Sequence, residues 1–303
     1  METIQFFSIL IPIFSVFIVG YIVGKVAKLD IKSLSFIALN VLYPFLGFYT
    51  FYKNEITIDY LNIFIVIAIL ITILYVLIII IANLLKFDKK RKHAMLLAGV
   101  FMNSGNYGVP VALFAIGEQG FNYALMFMVV MSVLMNSLGL YLAASGANKN
   151  ISKKQSLVTV LKMPILPSVI LGMILQLMNV TIPAPVEDTI DFISDAAIPV
   201  IMIVLGIQLS KIKFRGIPFK SVGFTVLFRL LLSPIITIGI VYMLGIDHTV
   251  LGTTMVLLAA MPTAANTTIF AVQFEVEPNF VSSTTLIGTV LSIVTLPIWF
   301  FFL

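Results

Sequence analysis

The chain has 303 residues, of which 60% are hydrophobic and only 10% are charged, with a formal net charge of +5. Because soluble domains have about 25% charged residues, this composition predicts an all-α polytopic membrane protein, and the positive charge does not indicate a nucleic-acid partner. The chain has no cysteine and two histidines, which excludes disulfides and thiolate chemistry and leads us to expect no metal and no cofactor.

Ten hydrophobic segments follow one another along the chain, each near the length needed to cross a bilayer. Their approximate ranges are 4–25, 33–52, 60–85, 94–116, 121–144, 163–180, 192–210, 219–244, 249–272 and 280–303. We therefore expect ten transmembrane helices that fill almost the whole chain.

Lysine and arginine are concentrated in the loops that follow segments one, three, five and seven. These loops hold 16 of the 18 basic residues, whereas Lys53 lies on the opposite side and Arg229 lies within segment eight. By the positive-inside rule these loops are cytoplasmic. We therefore expect a multi-pass protein of the cell membrane with both termini extracytoplasmic.

Segments four and nine are interrupted near their middles by polar residues, glycine and proline. The interruptions run from Asn103 to Pro110 and from Pro262 to Thr268. Gly108 can adopt a positive φ, and Pro110 lacks an N–H donor and clashes with the preceding turn. Freed backbone groups cannot face lipid, so each break must be buried in protein or line a wet cavity.

Two interrupted segments in matching halves of a chain are typical of a transporter binding site near the bilayer midplane. Each break exposes a helix N-terminus with free N–H donors and about half a positive charge, which favours an anion. Side chains that could add hydrogen bonds to a carboxylate are Asn103, Ser104, Asn106, Thr263, Asn266, Thr267 and Thr268. The alternative is that these side chains only satisfy the freed backbone.

The two halves of the chain resemble each other. Asn40 to Pro44 in segment two matches Asp195 to Pro199 in segment seven, and Leu96 to Gly99 in segment four matches Leu257 to Ala260 in segment nine. Since the matched segments are five apart, an odd number, the second copy is inverted in the membrane. The predicted units are a five-helix repeat, a cytoplasmic linker and a second, inverted five-helix repeat, at residues 1–144, 145–162 and 163–303.

Three polar residues in other segments have more than one interpretation. Arg229, near mid-membrane, either attracts the anion or pairs with Asp195, or its side chain snorkels to the headgroups. Asp195 either binds a coupling proton or cation or lies at the outer interface. Asn40 either joins the binding site or caps the kink before Pro44.

Several motifs together resemble the auxin efflux carrier family, which includes the plant PIN-type carriers and many bacterial permeases. They are Phe36 to Pro44, Asn103 to Pro110, Ala259 to Pro262, Glu277-Pro278, Gly288 to Ser292 and Thr295 to Pro297. The resemblance implies ten helices in two inverted repeats, with helices four and nine crossed in a transport domain beside a scaffold domain that forms a homodimer. It also implies a substrate carboxylate close to Asn103 and Pro262.

The chain departs from the plant pattern at the first break. Met102 stands where the plant carriers have the crossover proline of segment four, and Asn106 is an additional amide. The loop between segments five and six is also short. These departures favour a bacterial-type permease for small organic acids over a carrier of auxin.

The sequence therefore predicts a secondary transporter that moves a small organic anion, with a carboxylate, across the lipid bilayer by alternating access. A channel-like anion pore is one alternative, because broken helices also line selectivity filters. A membrane sensor with a transport fold is another. No glycine-rich phosphate loop and no plausible Ser-His-Asp set is present, so we do not expect an enzyme.

Overall fold

The computed structural model describes residues 2–27, 29–147, 158–211 and 219–302. In these ranges all regular structure is helical, apart from one isolated antiparallel bridge between Met102 and Thr263. The main α-helices are α1 (Glu2–Val26), α2 (Ile31–Ile37), α3 (Tyr43–Lys53), α4 (Asp59–Leu84), α5 (Lys89–Val100), α6 (Val109–Ile116), α7 (Glu118–Leu134), α8 (Leu140–Gly146), α9 (Ile165–Leu177), α10 (Ala184–Asp195), α11 (Ala197–Lys211), α12 (Phe219–Leu227), α13 (Ser233–Met243), α14 (Val250–Ala259), α15 (Ala265–Gln273) and α16 (Pro278–Phe302). Four π-helical turns lie at Ala38–Leu42, Ser104–Gly108, Met135–Gly139 and Phe228–Leu232.

The described residues form the helices expected of a polytopic membrane protein. Six stretches are long and apolar enough to cross a membrane: Ile31–Lys53, Asp59–Leu84, Glu118–Gly146, Ala184–Lys211, Ser221–Met243 and Pro278–Phe302. Shorter apolar helices cover Ile11–Val26, Ile165–Leu177 and Val250–Ala259. Most of the predicted linker lies outside the described residues, including Lys149, Lys153 and Lys154, and so do Lys28, Lys213 and Arg215 of the basic loops.

Three of the π-helical turns lead directly into a helix whose second residue is proline. These prolines are Pro44 of α3, Pro110 of α6 and Pro234 of α13. Because proline has no N–H and its ring clashes with the preceding turn, the helix widens just before it. The widened turns contain Asn40, Asn106 and Arg229, which are three of the polar residues singled out in the sequence.

The most extensive helix contacts join α1 to α11 and α3 to α9. Glycines allow both close approaches: a Cβ on Gly20 or Gly206 would collide with the backbone of the opposite helix, and one on Gly172 would collide with the carbonyl of Phe48. Small residues at such positions let membrane helices pack closely, where van der Waals contact supplies much of the association energy.

Segments four and nine are broken and cross each other. The first is divided into α5 and α6 and the second into α14 and α15. Two backbone hydrogen bonds pair the breaks, from the Asn103 amide to the Pro262 carbonyl at 2.8 Å and from the Ala264 amide to the Phe101 carbonyl at 2.9 Å. The bonded groups are backbone amides and carbonyls that have no helical partner because of the breaks. Each break therefore supplies hydrogen-bond partners to the other.

Arg229 holds the carboxyl ends of the two broken helices together. Its side chain is only 1% exposed, and its guanidinium donates to the carbonyls of Gly99 (3.2 Å), Ala259 (2.5 Å) and Met261 (3.1 Å) and to the Ser233 hydroxyl (2.6 Å). The last carbonyls of a helix have no partner inside the helix and carry about half a negative charge. The ends of α5 and α14 therefore supply both the acceptors and the negative potential that this buried cation requires.

Two sequence interpretations of Arg229 are corrected by this arrangement. An ion pair with Asp195 is wrong, since the guanidinium forms no ion pair with any described residue and Asp195 is exposed at the end of α10. Snorkelling to the headgroups is also wrong, because the side chain is enclosed by protein. The acceptors are main-chain carbonyls from other segments, which a charge pattern along the sequence does not show.

We predict that Gly206→Ala weakens the packing of α1 on α11. The added methyl group meets backbone that cannot rotate away, and overpacking of this kind costs about 1–3 kcal/mol. Thermal unfolding of the purified protein in detergent measures the effect. The matched control is Gly239→Ala in α13, where an added Cβ meets nothing within 4 Å and helix propensity favours alanine. Equal melting temperatures for the two variants would contradict the packing role.

We also predict that Arg229→Lys destabilises the crossover. The planar guanidinium donates to carbonyls on two helices at once, and the single ammonium group of a lysine cannot replace it. Each buried carbonyl that is left without a donor costs about 1–3 kcal/mol. The expected result is a lower melting temperature together with loss of ligand binding. Arg91→Lys is the control, because Arg91 pairs with Glu277 at a partly exposed site where lysine preserves the charge. A fully stable Arg229→Lys protein would refute the assignment.

Candidate functional site

A cavity of about 240 Å³ lies beside the helix crossover. Its walls come from the π-helical turn before α3 and the start of α3, the break between α5 and α6, the helix α7 and the π-helical turn after it, and the starts of α9 and α15. Five asparagines, two serines and a tyrosine line it: Asn40, Asn103, Asn106, Asn136, Asn266, Ser104, Ser132 and Tyr43. Methionines make up much of the remaining wall. The crossover cavity is thus rich in neutral hydrogen-bonding groups.

Asn103 is one of the side chains that line this cavity. It is 4% exposed, and its side-chain nitrogen Nδ2 has no hydrogen-bond partner among the described residues. A buried donor without a partner costs about 1–3 kcal/mol, and native proteins rarely leave one unless it has a functional role. The nitrogen therefore points to a ligand that supplies an acceptor.

Two helix starts also present free backbone donors to the cavity. The amides of Gly105 and Asn106 in the first break, and of Ala265 and Asn266 in the second, donate to no carbonyl among the described residues. No side chain caps either start. Since all four residues line the cavity, it receives the positive end of two helix dipoles, an arrangement that favours an anion.

Three further cavity residues are oriented by hydrogen bonds within the protein. The Tyr43 hydroxyl donates to the side-chain oxygen of Asn106 at 3.4 Å. The side-chain nitrogens of Asn40 and Asn136 each donate to a carbonyl one turn earlier in their own helix, at 3.1 and 2.9 Å. Asn40 therefore both lines the cavity and satisfies the backbone at its π-helical turn, so the two alternatives from the sequence are not exclusive.

Four predicted site residues do not line the cavity: Pro262, Thr263, Thr267 and Thr268. Pro262 contributes the carbonyl that accepts from Asn103. Thr263 donates its hydroxyl to the Ala98 carbonyl at 2.6 Å, and Thr267 donates to the carbonyl of Ala264 at 2.7 Å. The polar groups of the first three bond to the backbone around the crossover. This agrees with the alternative, stated above from the sequence, that such side chains satisfy the freed backbone.

Lys162 lines the cavity although the sequence places it in the linker. Among the described residues that line the cavity, it is the only one of a charged type. The signal in the sequence was weak, because a lysine near Pro164 after a basic loop is equally typical of a helix end at the membrane surface.

A second cavity, of about 700 Å³, lies on the other side of the crossover region. Asp195 lines it together with Lys53, Glu118 and Asp191. The two cavities share no lining residue: Tyr43 lines the first, and Leu46, one turn further along α3, lines the second. Within the described residues no group of three or more His, Cys, Asp or Glu could hold a metal ion.

Comparison with known proteins gives a family for this fold and site. The model of the family described as Membrane transport protein matches residues 5–300. The chain is 30% identical over 295 residues to an "Uncharacterized transporter" of Methanothermobacter thermautotrophicus, covering 93% of each chain. It is 28% identical over 202 residues to a "Putative malonate transporter" of Rhizobium meliloti, covering 65% of this chain and 63% of the relative. A transporter of Methanocaldococcus jannaschii is 25% identical over 299 residues, covering 93% and 94%.

The family match covers nearly the whole chain, including both breaks and the π-helical turns that line the cavity. It confirms the resemblance found in the sequence motifs. The chain belongs to the Membrane transport protein family, the family of the auxin efflux carriers and the permeases related to them.

Proposed function

We propose that this protein is a secondary transporter, an auxin efflux carrier-like permease, that binds a small organic anion by its carboxylate at the helix crossover. The observation that carries the proposal is the unpartnered side-chain nitrogen of Asn103 beside free amides from two helix starts. A carboxylate is acceptor-only, with two oxygens and about four lone-pair sites, so it complements a site that offers mainly donors. The family relative named as a "Putative malonate transporter" supports this class of substrate.

We further propose that the ten predicted segments form two inverted repeats, at residues 1–144 and 163–303. The packing supports this pairing, because α1 on α11 joins segments one and seven, and α9 on α3 joins segments six and two. In a repeat of five segments, segment one corresponds to segment six and segment two to segment seven, so each of these contacts is the symmetry equivalent of the other. The paired breaks of segments four and nine fit the same symmetry.

In the orientation that the basic loops predict, the crossover cavity opens toward the cytoplasm and the second cavity opens outward. Lys162, at the cytoplasmic end of segment six, lines the first cavity, and Lys53, on the opposite side, lines the second. The two cavities have no common wall residue among those described, as expected of the two half-paths of a carrier. This favours alternating access over a continuous anion pore.

We predict that Asn103→Ala raises the KM for a transported carboxylate by about tenfold to a hundredfold, which corresponds to one lost hydrogen bond to a charged group. The Asn103 side chain forms no hydrogen bond with another described residue, so the melting temperature of the Asn103→Ala protein should not fall. Uptake of labelled carboxylates by liposomes that contain the purified protein measures the change.

Asn62→Ala in α4 is the matched control, because Asn62 does not line the crossover cavity. It should transport like the natural protein. An Asn103→Ala protein with unchanged KM would refute the binding role of Asn103. Saturable uptake with counterflow of unlabelled substrate would support the carrier, whereas single-channel currents would support the pore.

A further inference from the structure

A third cavity, of about 370 Å³, lies on the side of the protein between α11 and the helices α15 and α16. Its walls come from the end of α11, the first residue of α2, residues 265–272 of α15 and the start of α16. Ile269 and Val272 are 54% and 58% exposed, so in a chain that spans a membrane this wall faces the lipid. We call this cavity the lateral groove.

The lateral groove has the polarity of one leaflet of a bilayer. Ala265, at one end, also lines the crossover cavity, whereas Lys211 and Asn279 lie at the end that the basic loops predict to be cytoplasmic. Residues 265–272 span about 10 Å at 1.5 Å per residue, and the hydrocarbon of one leaflet is about 15 Å thick. The groove is therefore apolar along its length and polar at the membrane surface, as a phospholipid is.

Gln208 presents a buried acceptor at the polar end of the groove. Its side-chain oxygen Oε1 has no hydrogen-bond partner among the described residues, whereas its nitrogen donates to the Ser35 hydroxyl at 3.2 Å. The hydroxyls of Thr268 and Thr285 contact each other at 3.5 Å. In the described part of the groove wall, only Gln208 has a buried side-chain atom without a partner. Such an oxygen calls for a ligand that supplies a donor.

Lys211 makes the same end of the groove positive. Its ammonium group donates to the Gly24 carbonyl at 2.6 Å, which holds it beside α1 and leaves two of its three donors for other partners. No aspartate or glutamate is among the described groove residues, and the nearby Glu277 is paired with Arg91 at 3.1 Å. The polar end is therefore complementary to an anionic group that also carries a neutral donor.

We propose that the lateral groove binds an anionic phospholipid whose headgroup carries hydroxyl groups, as that of phosphatidylglycerol does. One acyl chain lies along α15, the phosphate accepts from Lys211, and a headgroup hydroxyl donates to the Oε1 atom of Gln208. Phosphatidylcholine has no donor for this oxygen, and Lys211 repels the ammonium group of phosphatidylethanolamine. This inference goes beyond the proposed function and does not depend on the substrate, because neither Gln208 nor Lys211 lines the crossover cavity.

The test titrates the detergent-purified protein with three lipids of identical acyl chains and follows its melting temperature. Phosphatidylglycerol has the charge and the hydroxyls, phosphatidylmethanol has the charge alone, and phosphatidylcholine has neither. We expect phosphatidylglycerol to bind most tightly and phosphatidylcholine most weakly. In Gln208→Met the apparent Kd for phosphatidylglycerol should rise roughly threefold to tenfold, as fits one hydrogen bond between neutral groups, and that for phosphatidylmethanol should not change. Lys211→Gln should weaken both anionic lipids.

Gln176→Met is the matched control, because Gln176 also has a buried Oε1 atom without a described partner but does not line the groove. It should keep the order of the three lipids. A second pair of variants tests the acyl chain. Val272→Trp fills the groove and should abolish stabilisation by phosphatidylglycerol, whereas Ile235→Trp, at a 53% exposed position of α13 outside the groove, should not.

Equal affinity of the natural protein for the three lipids would mean that water satisfies the Gln208 oxygen, and the inference would then be wrong. The same conclusion would follow if Gln208→Met kept the full preference for phosphatidylglycerol, or if Val272→Trp and Ile235→Trp responded alike. None of these results bears on the transport of an anion, which Asn103→Ala tests separately.

Discussion

An unpaired backbone amide or carbonyl in the interior of a membrane costs several kcal/mol, and the two broken helices of this protein expose both kinds of group where they cross. The structure treats the two kinds differently. Carbonyls at the ends of α5 and α14 are bonded to the buried guanidinium of Arg229, and the breaks pair with each other through Asn103 and Pro262. The amides at the starts of the second halves are left open to the cavity. The acceptors of the crossover are thus satisfied within the protein, and donors remain for a ligand.

In the proposed function, this division lets the cavity bind an anion without a cation at its centre. The guanidinium of Arg229 binds the carbonyl ends of the broken helices, so the positive potential in the cavity comes from helix dipoles and amide groups instead. Such donors are fixed in position by the backbone and carry no full charge that would have to be buried when the site is empty. A transporter benefits from this, because it must return without substrate, and a desolvated unpaired cation would oppose that step.

The sequence predicted the features that depend on local chemistry. Hydropathy predicted the membrane class, and Pro262 lies within the break of segment nine, between α14 and α15. The break of segment four, from Phe101 to Asn103, comes before Gly108, whose φ is −65°, and before Pro110, which is the second residue of α6. Glycine and proline therefore located this break only approximately. Of the predicted substrate-binding residues, five line the cavity: Asn40, Asn103, Ser104, Asn106 and Asn266. The sequence could not separate these from Thr263 and Thr267, because a polar side chain at a break uses the same hydrogen-bonding chemistry for a carbonyl as for a ligand. The acceptors of Arg229 could not be predicted either, because they belong to main chain in two other segments.

The walls of the crossover cavity come from two groups of helices. The donors at the breaks belong to segments four and nine, which are joined by backbone hydrogen bonds and by Arg229. Asn40 and Tyr43 belong to segment two, and Lys162 lies just before segment six. The hydrogen bond from Tyr43 to Asn106 links these groups across the cavity, and at 3.4 Å it is long for a bond between two oxygens. In the proposed alternating access, a weak link of this kind is an advantage: the crossover must stay rigid to keep its donors aligned, while the contact between the groups must break in every cycle. A substrate held by both groups would strengthen that contact only while it is bound, so the same ligand that accepts from the donors would also draw the two walls together.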